Sequence, residues 1–422
     1  MAETVNPLPR DRIRSLDSIR GVAVMGIFSV NVTAFAMIFP AYMNPVAYGG
    51  HTGENLATWL ANYVIIDGKM RSLFSMLFGA SMLLVIDRAQ AAGQSPARVH
   101  YARMAVLLLL GLFHFYFIWH GDILVLYALT AMIAFLFREC AARTMAIWAG
   151  VLMLITSLVF SSASYGMQQT DIAAHRADAT AKDVKRWNDM ASFANKPAAA
   201  NAEETRLALS PASTRAEHML ADRIADPFGA AIPFFLPTLG LMLAGMAGYR
   251  SGFLTGAWDD RRYQRIAVWT LTIGAATTLA LASWVISSGF YVPLLFLAFF
   301  GLGGSLQLAM AVGYAALIIL ATRRSGALSD RVAAVGRAAF TNYLGTSIVA
   351  ALIFYGDGLA LFGKLSRFEA WLVVPLMWAL MLLWSKPWLD RFHYGPLEWL
   401  WRSLARGRLQ PLRKHDLVPA SA

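Results

Sequence analysis

The chain has 422 residues and a formal net charge of +11, with 58% of its residues hydrophobic and only 14% charged. Soluble domains carry about 25% charged residues, and the mean hydropathy here is +0.52. These values exclude an ordinary soluble enzyme and predict an all-α, polytopic integral membrane protein. The single cysteine, Cys140, excludes an internal disulfide and a cysteine-cluster metal centre.

Ten apolar segments read as transmembrane helices, each near the roughly 17–25 residues that cross a bilayer. In chain order they are 18–38, 71–86, 102–119, 123–137, 144–163, 230–249, 266–287, 291–321, 338–354 and 370–389. The second and fourth are short and borrow neighbouring residues. The eighth is long and carries Gly301, Gly303 and Gly304, which predicts a tilt or a break at the glycines.

The positive charge follows this frame. With the N-terminus inside, the short inside segments hold Arg10, Arg12, Arg14 and Arg20, then Arg88, Arg98 and Arg103, then Arg250, Arg261, Arg262 and Arg265. Arg323, Arg324, Arg331, Arg337 and the stretch from Lys386 to Lys414 continue the pattern. Such asymmetry predicts both termini in the cytoplasm. The basic balance is then an orientation signal with attraction to membrane lipids, and no nucleic acid is implied. The first apolar run lacks a small-residue cleavage motif, so it reads as a retained anchor.

Between the spans, apolar residues at helical spacing over 54–65 predict an interfacial helix. The segment 164–228 is long, alanine-rich and mixed in charge, and reads as helical hairpins or a mobile cap outside the membrane. The organisation is a five-span half (1–163), a cap (164–229), a second five-span half (230–405) and a basic, disordered tail (406–422).

Five stretches carry polar chemistry inside or beside apolar runs. In "HFYFIWHGDILVLYALTAMIAFLFR", His114, His120 and Asp122 fall at the outer mouth of the third and fourth spans. Asp122 suits a helix N-cap and His114 a helix–helix hydrogen bond; together with His120 they also suit a proton-transferring site. In "DGKMRSLFSMLFGAS", Lys69 and Arg71 sit on the side that the charge rule disfavours. They need either a partner, for which Asp67 and Asp122 are nearest by topology, or an anionic ligand. In "RIRSLDSIRGVAVMGIFSVN", Asp17 and Arg20 are three apart on one helix face. Arg14, Asp17 and Arg20 read either as an anchor or as a dock for an anionic head group. Gly21 and Gly26 allow close packing, and Asn31 is polar within the span. In "GRAAFTNYLGTS", Arg337 anchors the inner end, and Thr341, Asn342, Thr346 and Ser347 suit polar packing. "RFHYGPLEWLWRSL" reads as an interfacial helix with Trp399, Trp401 and Arg402. No nucleotide fingerprint and no H-E-x-x-H or G-x-S-x-G motif occurs in a supporting context.

These stretches resemble the YeiB family of bacterial multi-pass membrane proteins. The resembling patterns run from Arg12 to Asn31, Lys69 to Gly79, Gly121 to Leu129, Gly336 to Leu344 and Gly395 to Arg402. The family in turn is similar to the transmembrane acyltransferase superfamily, which includes the heparan alpha-glucosaminide N-acetyltransferase and shares the L-D-x-x-R-G opening. That resemblance implies an acyltransferase of the bacterial cytoplasmic (inner) membrane, with acyl-CoA as donor, an envelope glycan or lipid as acceptor, and no metal. It further implies that Arg14 and Arg20 hold the CoA phosphates, that an outer histidine acts as base, and that Asp122 orients it. His120 ranks ahead of His51 for that base. The residues expected to line the path are Arg14, Asp17, Arg20, Asn31, Asp67, Lys69, Arg71, Arg337 and Asn342, with His114, His120 and Asp122 at the chemistry. A multi-pass transporter or exporter is the alternative function, and a sensor or assembly partner docking through 164–228 a third.

Overall fold

The computed structural model describes residues 13–324 and 326–414. Among them the chain is helical throughout, with a lone antiparallel bridge between Phe392 and Arg413. The first half contains α1 (Arg14–Ala36), α2 (Gly53–Ala61), α3 (Lys69–Ala91), α4 (Pro96–Phe117), α5 (Leu124–Ala134) and α6 (Ala142–Ala174). Three short helices follow: α7 (Ala181–Ala191), α8 (Ala198–Ala208) and α9 (Ala212–Asp222). The second half contains α10 (Asp226–Arg250), α11 (Asp260–Ser287), α12 (Val292–Phe296), α13 (Leu302–Thr322), α14 (Ala327–Arg337), α15 (Ala339–Phe354), α16 (Arg367–Trp371), α17 (Val373–Arg391) and α18 (Pro396–Arg406).

All ten expected spans coincide with helix. Among the described residues eight helices are long and apolar enough to cross a bilayer, and a ninth counts if α14 and α15, bent by 81°, form one span. The segment 123–137 is helical but short; its apolar run, Leu124–Phe137, reaches only about 21 Å at 1.5 Å per residue. The protein is a multi-pass membrane protein. Its outer helices α6, α11 and α17 expose Leu158 (61%), Trp269 (65%) and Leu376 (71%), surfaces that suit lipid and not water. Helices α1 and α3 are the most buried and form the centre of the bundle.

Three expectations are corrected. The segment 54–65 is not a separate surface helix: α2 and a π-helical turn, Asn62–Ile66, continue across a break at Gly68 into α3 as one apolar segment, Gly53–Ala91. Residues 407–414 are not a loose tail. Gln410 is buried, and the amides of His393 and Lys414 bond the carbonyls of Leu412 and Arg391; residues 415–422 lie outside the described part. The segment 164–228 is helical, as expected, but it is tied to the bundle. Glu204 accepts from the Phe39 amide at 2.6 Å, Arg215 pairs with Asp357 at 2.6 Å, and Asn44 donates to the Ala194 carbonyl at 3.0 Å. The eighth span has a π-helical turn, Leu297–Gly301, just before the glycine pair.

Backbone contact sets the centre. At the crossing of α1 and α14, a Cβ on Gly336 would overlap the Asp17 carbonyl oxygen, and one on Gly21 would overlap that of Val332. Gly79 and Gly245 make the same reciprocal contact between α3 and α10. Lipid tails give no hydrophobic drive between helices, so close packing of small residues supplies the association. The Gly21–Gly336 contact also brings Arg20 and Arg337, the next residues along each helix, to one place.

Replacing Gly336 by alanine therefore forces α1 and α14 apart. It should lower stability by about 1–3 kcal/mol, the usual range for overpacking, read as a lower unfolding midpoint in detergent. Gly345→Ala, on the same α14–α15 segment but with nothing within 4 Å of the added carbon, should be neutral or stabilising.

Candidate functional site

The five polar stretches meet at one cavity. It has a volume of about 250 Å³ and opens at the basic end of the bundle. Asp17 and Arg20 come from the N-terminal stretch, Phe74, Phe78 and Ser81 from α3, Leu124 and Tyr127 from α5. Gly336, Arg337, Phe340 and Tyr343 come from the α14–α15 segment, and Glu398, Trp401 and Arg402 from α18. The cavity thus has two regions. Arg20, Arg88, Arg103, Arg337 and Arg402 surround the mouth, and aromatic and aliphatic side chains line the depth. On α3 the lining runs from Arg88 inward to Phe74, about 21 Å of helix axis, or two-thirds of a bilayer core of about 30 Å.

The mouth is held by fixed contacts. Arg20 donates to Asp17 at 3.1 Å, to Ser81 at 2.6 Å and to the Gly336 carbonyl at 3.3 Å. The 81° bend between α14 and α15 is secured by Glu398. Its carboxylate accepts from the Phe340 amide at 2.7 Å, the Thr341 amide at 3.1 Å and the Thr341 hydroxyl at 2.5 Å. A carboxylate there satisfies amides that no preceding turn can reach and complements the helix dipole. Helix α18 is tied to α4 by Trp401, whose indole donates to the Arg103 carbonyl at 2.9 Å while the Arg103 guanidinium lies 4.3 Å over its ring.

At the far end stands a buried pair. His114 Nδ1 and Asp122 Oδ1 are 2.8 Å apart, with both side chains 0% exposed. The other Asp122 oxygen accepts from the Val125 amide at 2.9 Å, so the same residue also caps α5. A carboxylate on Nδ1 fixes the ring orientation and favours the tautomer with Nδ1 protonated, leaving a lone pair on Nε2. Among the described residues His114 Nε2 has no hydrogen-bond partner, and neither do Tyr343 Oη and Trp119 Nε1. All three belong to one cluster. The His114 ring is 5.6 Å from Tyr343 and 6.3 Å from Trp119, which stacks on Phe35 at 4.1 Å. Tyr343 lines the cavity, so one aromatic ring separates the pair from it.

The other expected residues do not all reach this cavity. His120 does not line it: its ring is 6.4 Å from Trp119, on the side of the cap. Arg14 lies outside the cavity too, bonded to Ser329 at 2.8 Å and paired with Asp330 at 2.5 Å. Asn342 is buried in packing, bonded to Val335, Ser385 and Trp384. Asn31 is half-buried on α1 and lines neither this cavity nor the smaller one beside Arg71. Asp67 accepts from the Tyr42 hydroxyl at 3.1 Å, and neither Lys69 nor Arg71 pairs with it or with Asp122 among the described residues. Sequence reading missed Tyr127, Tyr343, Arg88 and Arg103 as lining residues. The available signal was a tyrosine in the middle of each of two apolar spans, where a hydroxyl needs a reason. Among the described residues no cluster of three or more His, Cys, Asp or Glu could hold a metal ion.

His120 carries its own expectation. Burial pushes its imidazole down to about 4, with Arg223 adding to the shift and Glu204 opposing it. The folded chain then binds fewer protons here than the unfolded chain, whose value is 6.5. The contribution is complete above pH 6.5 and is lost as pH falls towards 4. His120→Gln should therefore lose less stability than the wild type between pH 6.5 and 4, measured as unfolding midpoints of the two proteins side by side.

The chain is similar to known proteins along nearly its whole length. The DUF418 family, described as a protein of unknown function, matches residues 248–408. The chain is 30% identical over 427 residues to "Uncharacterized protein YxaH" of Bacillus subtilis (strain 168), covering 97% of this chain and 98% of that one. It is 30% identical over 401 residues to "Uncharacterized protein YeiB" of Escherichia coli (strain K12), covering 93% and 96%. A protein of Bacillus acidopullulyticus, "Uncharacterized 39.9 kDa protein in amylase 3'region", is 23% identical over 411 residues, covering 97% and 98%. No solved structure matches. On this full-length similarity, the chain belongs to the YeiB family of multi-pass membrane proteins.

Proposed function

We propose that this protein is an acyltransferase of the bacterial inner membrane, taking an acyl group from cytosolic acyl-CoA and passing it to a sugar or lipid of the envelope. The observation that carries this reading is one cavity with an arginine mouth, an apolar shaft and a histidine–carboxylate pair beyond its inner end. By the charge rule for loops, the basic mouth faces the cytoplasm. Arginine suits phosphate groups through its planar, forked donors. A volume of about 250 Å³ falls just below the roughly 300–1,000 Å³ of small-molecule pockets. It therefore suits an acyl-bearing arm, with the nucleotide of CoA left at the mouth against Arg20, Arg88, Arg103, Arg337 and Arg402.

Acyl-CoA supplies a thioester, an acyl carbon already activated for attack. The chain's residues supply orientation and proton handling. His114 Nε2 is the base for an acceptor hydroxyl or amine, and Asp122 holds the ring and stabilises its protonated form. The acceptor atom bonds to the acyl carbon as the carbon–sulfur bond breaks, and the proton taken by His114 passes to the departing thiolate. Tyr343 Oη, without a hydrogen-bond partner among the described residues, is the donor for charge developing on the carbonyl oxygen. Rotation of Tyr343 joins the shaft to His114. The acceptor approaches from the cap side, past Trp119 and His120.

The test uses the purified full-length protein and radiolabelled acetyl-CoA. Wild type should bind the donor, with affinity falling as salt rises. Arg20→Gln should weaken binding about tenfold or more, as expected for loss of one charge-assisted contact. His114→Asn should keep binding but lower acyl transfer or hydrolysis by about 10²–10⁴. Absence of binding in the wild type sinks the reading, and full turnover in His114→Asn removes the assigned base.

A further inference from the structure

A second cavity lies in the bundle interior among α3, α6, α10 and α13, with a volume of about 30 Å³. Its polar lining comes from Arg71, Ser72, Ser75, Thr156, Thr238 and Gln307. The proposed acyl transfer uses none of these groups, so a role for them is independent of that reading.

Local charge at this cavity is unbalanced. Helix α3 starts at a sharp break, where Gly68 takes a φ of 71° and provides no side-chain cap. Lys69 and Arg71 then occupy the first turn, which holds no acidic residue. Both cations therefore face the positive end of the helix dipole, which repels them. Lys69, 2% exposed, gives its ammonium to the Tyr63 carbonyl. The guanidinium of Arg71 packs over the Phe234 ring at 5.5 Å. Asp67 is the one carboxylate of the break, and it is engaged by the Tyr42 hydroxyl. Two positive charges against one negative leave a single positive charge without a counter-charge, in a span where charges are costly.

The cavity wall also offers donors with nothing to bond. Ser72 is 1% exposed and Thr238 6% exposed. Neither hydroxyl makes a hydrogen bond among the described residues, and both side chains line the cavity. Gln307 gives one amide hydrogen to the Phe299 carbonyl at 3.2 Å and has a second to give. Among the described residues Arg71 is the one charged side chain that lines this space and no carboxylate does, which favours an anion over a cation. Room for about two water molecules suits a compact ion.

We infer that this cavity is a binding site for a compact monovalent anion, either a halide ion or the carboxylate end of a small acid, held by Arg71, Ser72 and Thr238. The site shares a wall with the larger cavity. Ser75 lines the small one, and its hydroxyl lies 2.6 Å from that of Tyr127, which lines the large one.

The test is the unfolding midpoint of the full chain in detergent at constant ionic strength. Sodium gluconate is replaced stepwise by sodium chloride in one series and by sodium acetate in another. A saturable rise of about 2–4 °C is expected in at least one series; chloride alone indicates a halide, and acetate alone a carboxylate. Arg71→Gln should abolish the rise, and Arg20→Gln, at the mouth of the other cavity, should keep it. A linear, unsaturating response in wild type, or an undiminished rise in Arg71→Gln, overturns the inference. Should Arg71→Gln fail to fold, crystals of wild type grown in bromide decide: an anomalous peak between Arg71 and Thr238 supports the site, and an empty cavity overturns it.

Discussion

A polar group inside a bilayer has no water to fall back on, and that constraint organises this molecule. Each interior donor or acceptor must find a protein partner, lie in a cavity or carry an energetic penalty. Most interior groups here are satisfied locally. Asn342 makes three bonds to neighbouring helices. Thr156 and Thr278 return their hydroxyls to the preceding turn. The exceptions are therefore informative. His114 Nε2, Tyr343 Oη and Trp119 Nε1 stand together at the inner end of the large cavity. Ser18 and Thr130 are unsatisfied singly and mean little, but three such groups together beside one cavity mark a place where something else completes the bonding.

Much of the fold is legible in the sequence because apolar length is a strong signal. All ten expected spans are helical, since twenty apolar residues in lipid have no better way to bond their own amides. Edges and accessories are less legible. The segment 54–65 has the spacing of a surface helix, yet it runs on into α3 because a π-helical turn at Asn62–Ile66 realigns it. Such a turn has no sequence signature. The tail at 407–414 has the composition of a disordered segment. It is held by a few long-range bonds, such as that from the Trp399 indole to the Gln410 carbonyl at 2.7 Å.

The site is legible in its parts and not in its pairing. His120, His114 and Asp122 are recognisable as chemistry, and sequence alone favours His120 because it has no structural excuse. The geometry gives Asp122 to His114 instead. The reason is the turn after Phe117. Helix α4 ends there, and the chain reverses through Gly121, so that Asp122 faces back along the last turn it has just left. Spacing in sequence cannot specify that reversal. Tyr127 and Tyr343 escape notice for another reason: an aromatic residue in an apolar run reads as packing until its hydroxyl is located.

The five polar stretches come from both halves of the chain, and each contributes to the wall of one cavity. Packing alone gives no reason for that convergence. Glycines and polar residues that merely glue helices would be spread over many interfaces, as Gly79 and Gly245 are at the crossing of α3 and α10. Here the glue is itself directed at the cavity. Gly21 and Gly336 bring Arg20 and Arg337 together, and Glu398 fixes the bend that sets Arg337 at the mouth and Tyr343 at depth. A bundle that needed only stability has better uses for five arginines than to gather them around one opening, where each repels the others. Asp17 and Glu398 in the same wall offset part of that repulsion, and the positive balance that remains suits the negatively charged donor proposed above.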